Sequence, residues 1–198
     1  MPTNPKLDIL VMAAGMSSRL GQPKQLLELH DHALIWHAAT QALELTPHVT
    51  VVLGHQSELC RDAIKDLPLK TVVNENYKEG LGSSIAYGVS TLEDCNSVMI
   101  MLCDQPLIPS THYEALIQTS KENPELIIAS HYDKKSGVPA VFPRHYLPAL
   151  MELKGDKGAK VLLETNIYQY IPLTKNYSKD IDTHADWEAI VTLYSYYI

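Results

Sequence analysis

Apolar runs of strand length alternate with longer amphipathic stretches along this chain, the pattern of a mostly parallel sheet covered by helices on both faces. Strands are expected at Leu7 to Met12, Val49 to Leu53, Lys70 to Val73, Val98 to Cys103, Leu126 to His131, Val138 to Phe142 and Tyr168 to Pro172. Helices are expected at about Ala33 to Leu45, Ser57 to Lys65, Ser83 to Leu92, His112 to Lys121, Tyr146 to Leu153, Ala159 to Glu164 and Ala185 to Tyr194. Ser57 suits a helix cap, Thr111 with Glu114 has the spacing of a capping box, and Lys121 to Pro124 and Asp133 to Gly137 read as surface turns. The expectation is a three-layer α/β sandwich, Rossmann-like, with helices on both faces of the sheet.

The chain has 198 residues, 45% of them hydrophobic and 20% charged. That is enough apolar surface for one substantial core, so a single domain is expected, with disorder confined to the first six residues and the last few. A net charge of -7 argues against nucleic acid as the main partner, because binding a phosphate backbone needs a basic face. A small anionic ligand needs only a local cluster of cations. The cysteines Cys60, Cys95 and Cys103 are odd in number and lack metal-ligand spacing, and no charged-then-apolar leader precedes them, so the cytoplasm is expected. Apolar runs such as Val98 to Cys103 fall far short of the roughly 20 residues a membrane helix needs.

In open α/β sheets ligands bind beyond the carboxyl ends of the strands. The segment Ala13-Ala14-Gly15-Met16-Ser17-Ser18-Arg19-Leu20-Gly21-Gln22-Pro23-Lys24 follows the first strand there. Its small residues let backbone N–H groups approach an anion, Gly15 and Gly21 suit positive φ, and Arg19 and Lys24 add charge without a nearby acid. These are the parts of a triphosphate cradle; a solvent-exposed turn with two surface cations uses the same composition. The loop is neither a Walker loop nor a dinucleotide fingerprint.

After the most apolar strand comes Asp104, in Leu102-Cys103-Asp104-Gln105-Pro106. A carboxylate there suits magnesium, which commonly takes one or two carboxylates together with substrate phosphates; it equally suits a turn before Pro106. Asn74 and the run Glu79-Gly80-Leu81-Gly82-Ser83-Ser84 precede a helix, and the two serines suit either a base edge or a cap. His30, His32 and His37 lack partnering cysteines and read as surface and helix residues, and Tyr194, Tyr196 and Tyr197 read as terminal packing.

The ordered run AAGMSSRLGQPK resembles the opening signature of the MobA-like nucleotidyltransferases, and within them the molybdenum cofactor cytidylyltransferase branch. The resemblance runs from residue 7 to about 190 and is less specific in the second half. It implies a sheet of the nucleotide-diphospho-sugar transferase type, with an NTP-binding N-terminal half and an acceptor-binding C-terminal half. Ala13, Ala14, Gly15, Ser17, Ser18, Arg19 and Lys24 then hold the triphosphate, and Asn74, Gly82, Ser83 and Ser84 line the base pocket. Arg19, Lys24 and Asp104 become catalytic, with Mg2+ held by Asp104 and Asp182. Asp182 stands in Asp180-Ile181-Asp182-Thr183, where Thr183 and Asp186 have the spacing of a capping pair, and His184-Ala185-Asp186 departs from the family's usual Pro-Glu-Asp.

Ala14 favours CTP, since the cytidylyl branch carries Ala-Ala-Gly where the guanylyl branch has Ala-Gly-Gly. Gly137-Val138-Pro139-Ala140 and Gly155-Asp156-Lys157-Gly158-Ala159 suit a phosphorylated acceptor such as molybdopterin, with a molybdoenzyme as the possible recipient. The rival readings are a relative using GTP, a sugar phosphate or a methylerythritol phosphate, and a nucleotide-binding regulator or cofactor chaperone without transfer activity.

Overall fold

The structure, a computed structural model, describes residues 6–194. The disorder expected of residues 1–5 and of the last few, and the packing of Tyr196 and Tyr197, lie outside the described residues, as does the side chain of Tyr194. Lys6, also expected to be disordered, is held by its N–H donating to Asn96 Oδ1 at 3.0 Å. The chain runs through β1 (Leu7–Ala13), β2 (Glu28–Leu29), β3 (His32–Ala33), α1 (Leu34–Leu45), β4 (Val49–Leu53), α2 (Ser57–Asp62), β5 (Lys70–Val73), α3 (Leu81–Ser90) and β6 (Ser97–Leu102). It continues through α4 (Ser110–Glu122), β7 (Ile127–Tyr132), β8 (Lys135–Pro143), α5 (Leu147–Met151), α6 (Lys160–Thr165), β9 (Tyr168–Pro172) and α7 (His184–Tyr194).

Seven strands form one sheet in the order β5-β4-β1-β6-β8-β7-β9. β8 alone runs against its neighbours, pairing antiparallel with β6 and β7, while the β1, β4, β5, β6 and β7–β9 pairings are parallel. The two faces of the sheet can be read from the period-2 alternation along β1. Ile9, Val11 and Ala13 pack under α1, α2 and α4, against Ile35, Ala39, Cys60 and Leu116. Leu10 and Met12 pack under α3, α5 and α6, against Ile85, Val89, Leu150 and Leu163. Helices therefore cover both faces, which is why β4 is buried along its whole length.

A third apolar cluster lies beyond the carboxyl edge of the sheet and matters more for the site. Leu20, Leu27, Leu29, Leu34, Leu107, Ile181 and Ile190 pack together there. They join the loop after β1, the small β2–β3 hairpin, the segment after β6 and α7. Burial of these side chains brings residues distant in sequence to the same edge.

Several local expectations need correction. The helix at Ser57 is entered through Gln56 in the left-handed conformation (φ 51°), and no side chain caps it. Helix α4 starts at Ser110 behind Pro109, so Thr111 and Glu114 lie inside it and form no capping box. The turn expected at Asp133 to Gly137 shrinks to Asp133 and Lys134, both at positive φ (47° and 65°), and the pairing resumes at Lys135. Two consecutive residues at positive φ make the tight reversal whose twist matches a hairpin, which is how a strand running the other way enters the sheet.

Candidate active site

In the sheet order, β1 and β6 are the strands on either side of the point where the winding reverses, and ligand sites form beyond such a point. The Cys103 N–H donates to Met12 O at 3.2 Å, so the loops leaving these two strands start side by side. Between them and α3 lies a cavity of about 300 Å3, whose walls include Ala13 to Ser18, Lys24, Ser84 and Asp104. Gln25, Tyr77, Lys78, Gly80, Leu81 and Asp156 also line it.

The loop after β1 is shaped differently from expectation. Gly21 has positive φ (75°), but the other left-handed residue is Ser17 (φ 53°), not Gly15. Ser17 O accepts the N–H groups of Leu20 and Gly21 at 3.0 and 3.2 Å, closing a tight turn, and buried Leu20 anchors its far end. Gln25, which the sequence reading did not single out, donates from Nε2 to Ala13 O and Gly15 O.

Lys24 reaches from this loop across to two carboxylates. Its ammonium contacts Asp104 Oδ2 directly and lies 3.2 Å from Asp182 Oδ1. Arg19 Nη2 donates to Asp182 Oδ2 at 2.8 Å. Burial alone acts to lower the pKa of Lys24, but the Asp104 and Asp182 carboxylates outweigh it and hold the ammonium well above the ordinary lysine value. Asp104 is 8% exposed, and its Oδ1 is buried without a hydrogen-bond partner among the described residues.

Asp182 is placed by α7. Thr183 and Asp186 form the capping pair: Thr183 N–H donates to Asp186 Oδ2 at 2.8 Å, and Asp186 N–H donates to Thr183 Oγ1 at 3.2 Å. Because Thr183 supplies the cap, the Asp182 side chain is left for Arg19 and Lys24. The Ile181 N–H donates to Asp104 O at 3.1 Å, tying the two acidic segments together. Gln105 Nε2 adds a second tie, donating to Asp180 Oδ1 at 2.7 Å.

Asp180 is a third carboxylate that sequence spacing did not distinguish from its neighbours. Burial, followed by the repulsion of Asp104, pushes its pKa up to about 6. The Tyr132 hydroxyl donates to Val138 O at 3.2 Å and is pushed up to about 12 by burial and by Asp180 and Asp104. The β7–β8 hairpin thus borders the same acidic edge. Cys103, fully buried next to Asp104, has its thiol held well above the usual range by burial and by that carboxylate.

The residues expected around the base divide into two groups. Ser84 lines the cavity, while Asn74 lies behind it, donating from Nδ2 to the hydroxyls of both Ser83 and Ser84 at 3.1 Å. Ser83 in turn donates to Asn76 O at 3.1 Å. Gly82 faces the turn at Lys154 to Asp156, its N–H donating to Gly155 O at 2.8 Å. Gly80 (φ 105°) lies against the same turn, where a Cβ would meet the Gly155 backbone. The segment assigned from resemblance to the acceptor therefore buttresses the loop ahead of α3, and Asp156 itself reaches the cavity.

Among the described residues, no group of three or more His, Cys, Asp or Glu side chains gathers as a metal site. His37 Nε2 lies 2.6 Å from Leu29 O and its pKa is lowered by burial, and His32 stacks on Trp36 at 3.8 Å, so both serve packing. No helix among the described residues is long and apolar enough to cross a membrane.

Comparison with known proteins assigns this chain to a family. The MobA-like NTP transferase domain matches residues 9–171, and the chain belongs to that family. Among relatives, the bifunctional protein GlmU of Campylobacter jejuni is 31% identical over 152 residues, covering 75% of this chain and 35% of that protein. The chain thus spans about a third of the length of the GlmU relatives it matches. Nicotine blue oxidoreductase of Paenarthrobacter nicotinovorans is 31% identical over 165 residues, covering 78% of this chain and 79% of that protein. Rv0371c of Mycobacterium tuberculosis superposes with a TM-score of 0.85 at 25% identity, over 96% of this chain and 99% of that one. The same mycobacterial protein is also known as a manganese complex, with a TM-score of 0.79.

Proposed function

We propose that the chain transfers CMP from CTP to a phosphorylated small molecule, molybdopterin being the acceptor implied by its resemblance, and releases pyrophosphate. The observation that carries this reading is that Lys24 and Asp104, both in the wall of the cavity lined by Ala13 to Ser18, meet each other there and that Lys24 also reaches Asp182. One anion-gripping loop and two acidic segments are the groups that nucleotidyl transfer requires in one place.

The residues present fit a divalent cation. Asp104 Oδ1 is a buried oxygen without a partner among the described residues, and Asp182 adds a second carboxylate; two are enough for magnesium, which fills its shell with phosphate oxygens and water. The manganese complex of the similar mycobacterial protein supports the same reading. Bound there, the ion would neutralise triphosphate charge as a Lewis acid.

In the reaction, an acceptor phosphate oxygen attacks the α-phosphorus of CTP in line. The new P–O bond forms as the bond from the α-phosphorus to the α,β-bridging oxygen breaks, and its electron pair leaves with pyrophosphate. An ionised phosphate needs no strong general base, so the protein's contribution is alignment and charge neutralisation. Lys24 and Arg19 supply positive charge to the phosphates, and the loop N–H groups hold them. Ala14, buried in the cavity wall, narrows the space for the base; one methyl of that kind discriminates by only ~1 to 3 kcal/mol.

The test is pyrophosphate release from CTP by purified protein with Mg2+, with and without molybdopterin, followed by product identification. Release that requires acceptor and yields the cytidylylated product supports the proposal. Release with GTP or a sugar phosphate instead would redirect it to a related transferase, and no release with any pair would favour a binding role.

A further inference from the structure

An anion held by backbone N–H groups needs the carbonyls of the same loop turned elsewhere, since carbonyl oxygens repel phosphate. All three leading carbonyls of this loop have protein donors. Gln25 Nε2 donates to Ala13 O at 2.9 Å and to Gly15 O at 2.7 Å, and the His55 N–H donates to Ala14 O at 3.1 Å. Gln25 is 1% exposed, and its Oε1 faces the Ser17 hydroxyl at 3.4 Å. That hydroxyl oxygen accepts the Lys24 N–H at 3.0 Å.

We infer that Gln25 is a positioning residue for the triphosphate: it holds the Ala13 and Gly15 carbonyls away from the ligand and, through Ser17, sets the backbone of Lys24. The inference rests on the proposed function and extends it to a residue outside the cavity's charged groups. The chemistry is specific to a primary amide of this length. Both amide hydrogens are used on two carbonyls separated by one residue, and the remaining oxygen is left to the serine. Asn is one methylene too short. Glu presents no donor and sets a carboxylate against two carbonyl oxygens, and Met of similar size leaves both carbonyls without partners in a buried place.

The experiment is calorimetric titration of wild type, Gln25→Met and Gln25→Glu with CTP, inorganic tripolyphosphate and cytidine, all with Mg2+, alongside thermal unfolding of each variant. Misaiming the loop is expected to lower affinity for CTP and tripolyphosphate about tenfold or more in both variants, with cytidine affinity unchanged. Tripolyphosphate binding equal to wild type, or a parallel loss of cytidine binding as a merely structural defect would give, overturns the inference. Should these Gln25 variants fail to fold, Gln25→Asn, which keeps the amide but falls one methylene short of the two carbonyls, carries the test: it is expected to lose tripolyphosphate affinity selectively, and unchanged affinity overturns the inference. Wild-type protein that binds neither CTP nor tripolyphosphate removes the proposed function itself, a result distinct from a variant that matches a competent wild type.

Discussion

The Lys24 ammonium lies directly against the Asp104 carboxylate and also within 3.2 Å of Asp182, so one lysine neutralises the pair of acids that would hold a divalent cation. Arg19 completes the arrangement on the other oxygen of Asp182. The two cations suited to phosphate and the two carboxylates suited to metal are therefore paired with each other. On the proposed function, binding a metal–triphosphate complex would exchange these partners without leaving an unpaired charge. The Arg19–Asp182 pair is solvent-exposed and contributes about 0 to 1 kcal/mol, so it opens readily; the Lys24–Asp104 contact is the one to be broken.

Lys24→Met is accordingly expected to increase binding of Mn2+ in the absence of nucleotide. The substitution leaves buried Asp104 beside Asp182 without its cation, and breaking a buried pair of this kind costs on the order of 3 to 5 kcal/mol. Bound metal should recover part of that loss. Thermal unfolding with and without Mn2+ reads this: a larger Mn2+-induced rise in the variant than in wild type is predicted, and equal rises would show that Lys24 does not occupy the cation's place.

Transfer itself should respond differently. Lys24→Ala and Asp104→Ala are each expected to lower turnover with CTP by a factor of ~10³ to 10⁵, by analogy with other phosphoryl-transfer groups. Both should retain the far-UV circular dichroism of the wild type. Turnover at the wild-type rate in either folded variant removes that residue from the mechanism.

Asp180 predicts a pH dependence of stability. Its folded pKa is pushed up to about 6 by burial and by Asp104, above the unfolded carboxylate value of about 3.9. The folded chain thus holds this proton longer than the unfolded chain, so the contribution of Asp180 is most favourable at low pH and declines as pH rises from about 4 to about 6. Asp180→Asn keeps an oxygen for the Gln105 amide and has no such proton. Urea unfolding at a series of pH values should show the variant gaining on wild type across that window; a difference constant with pH would mean that Asp180 is not shifted in the folded protein.

Much of this arrangement is legible in the sequence because it depends on neighbours in the chain. The strands β4, β5 and β9 fall where their apolar runs place them, and the signature after β1 locates Lys24. The strand-ending position of Asp104 and the Thr183–Asp186 capping pair follow from local spacing in the same way. What the sequence does not show depends on contacts over long separations. Gln105 finds Asp180 across 75 positions and Arg19 finds Asp182 across 163, and neither distance leaves a periodic trace. Gln25 escapes notice for another reason: it follows the conspicuous Lys24, and only its burial reveals that it serves the loop behind it. The strand at Val138 to Phe142 is expected, but its start at Lys135 and its reversed direction are hidden because Asp133 and Lys134 make a two-residue turn without a glycine.

On the proposed function, the cavity between the loop after β1 and Asp104 accepts a nucleoside triphosphate with a divalent cation. Thermal unfolding with CTP, GTP, ATP and UTP, each with and without Mg2+, addresses it most directly. Binding at a hundredfold excess over the dissociation constant stabilises by about 2.7 kcal/mol, a shift on the order of 5 to 10 °C for a chain of this length. A shift confined to CTP with Mg2+ is the predicted result; no shift with any nucleotide, with or without the ion, would contradict the claim.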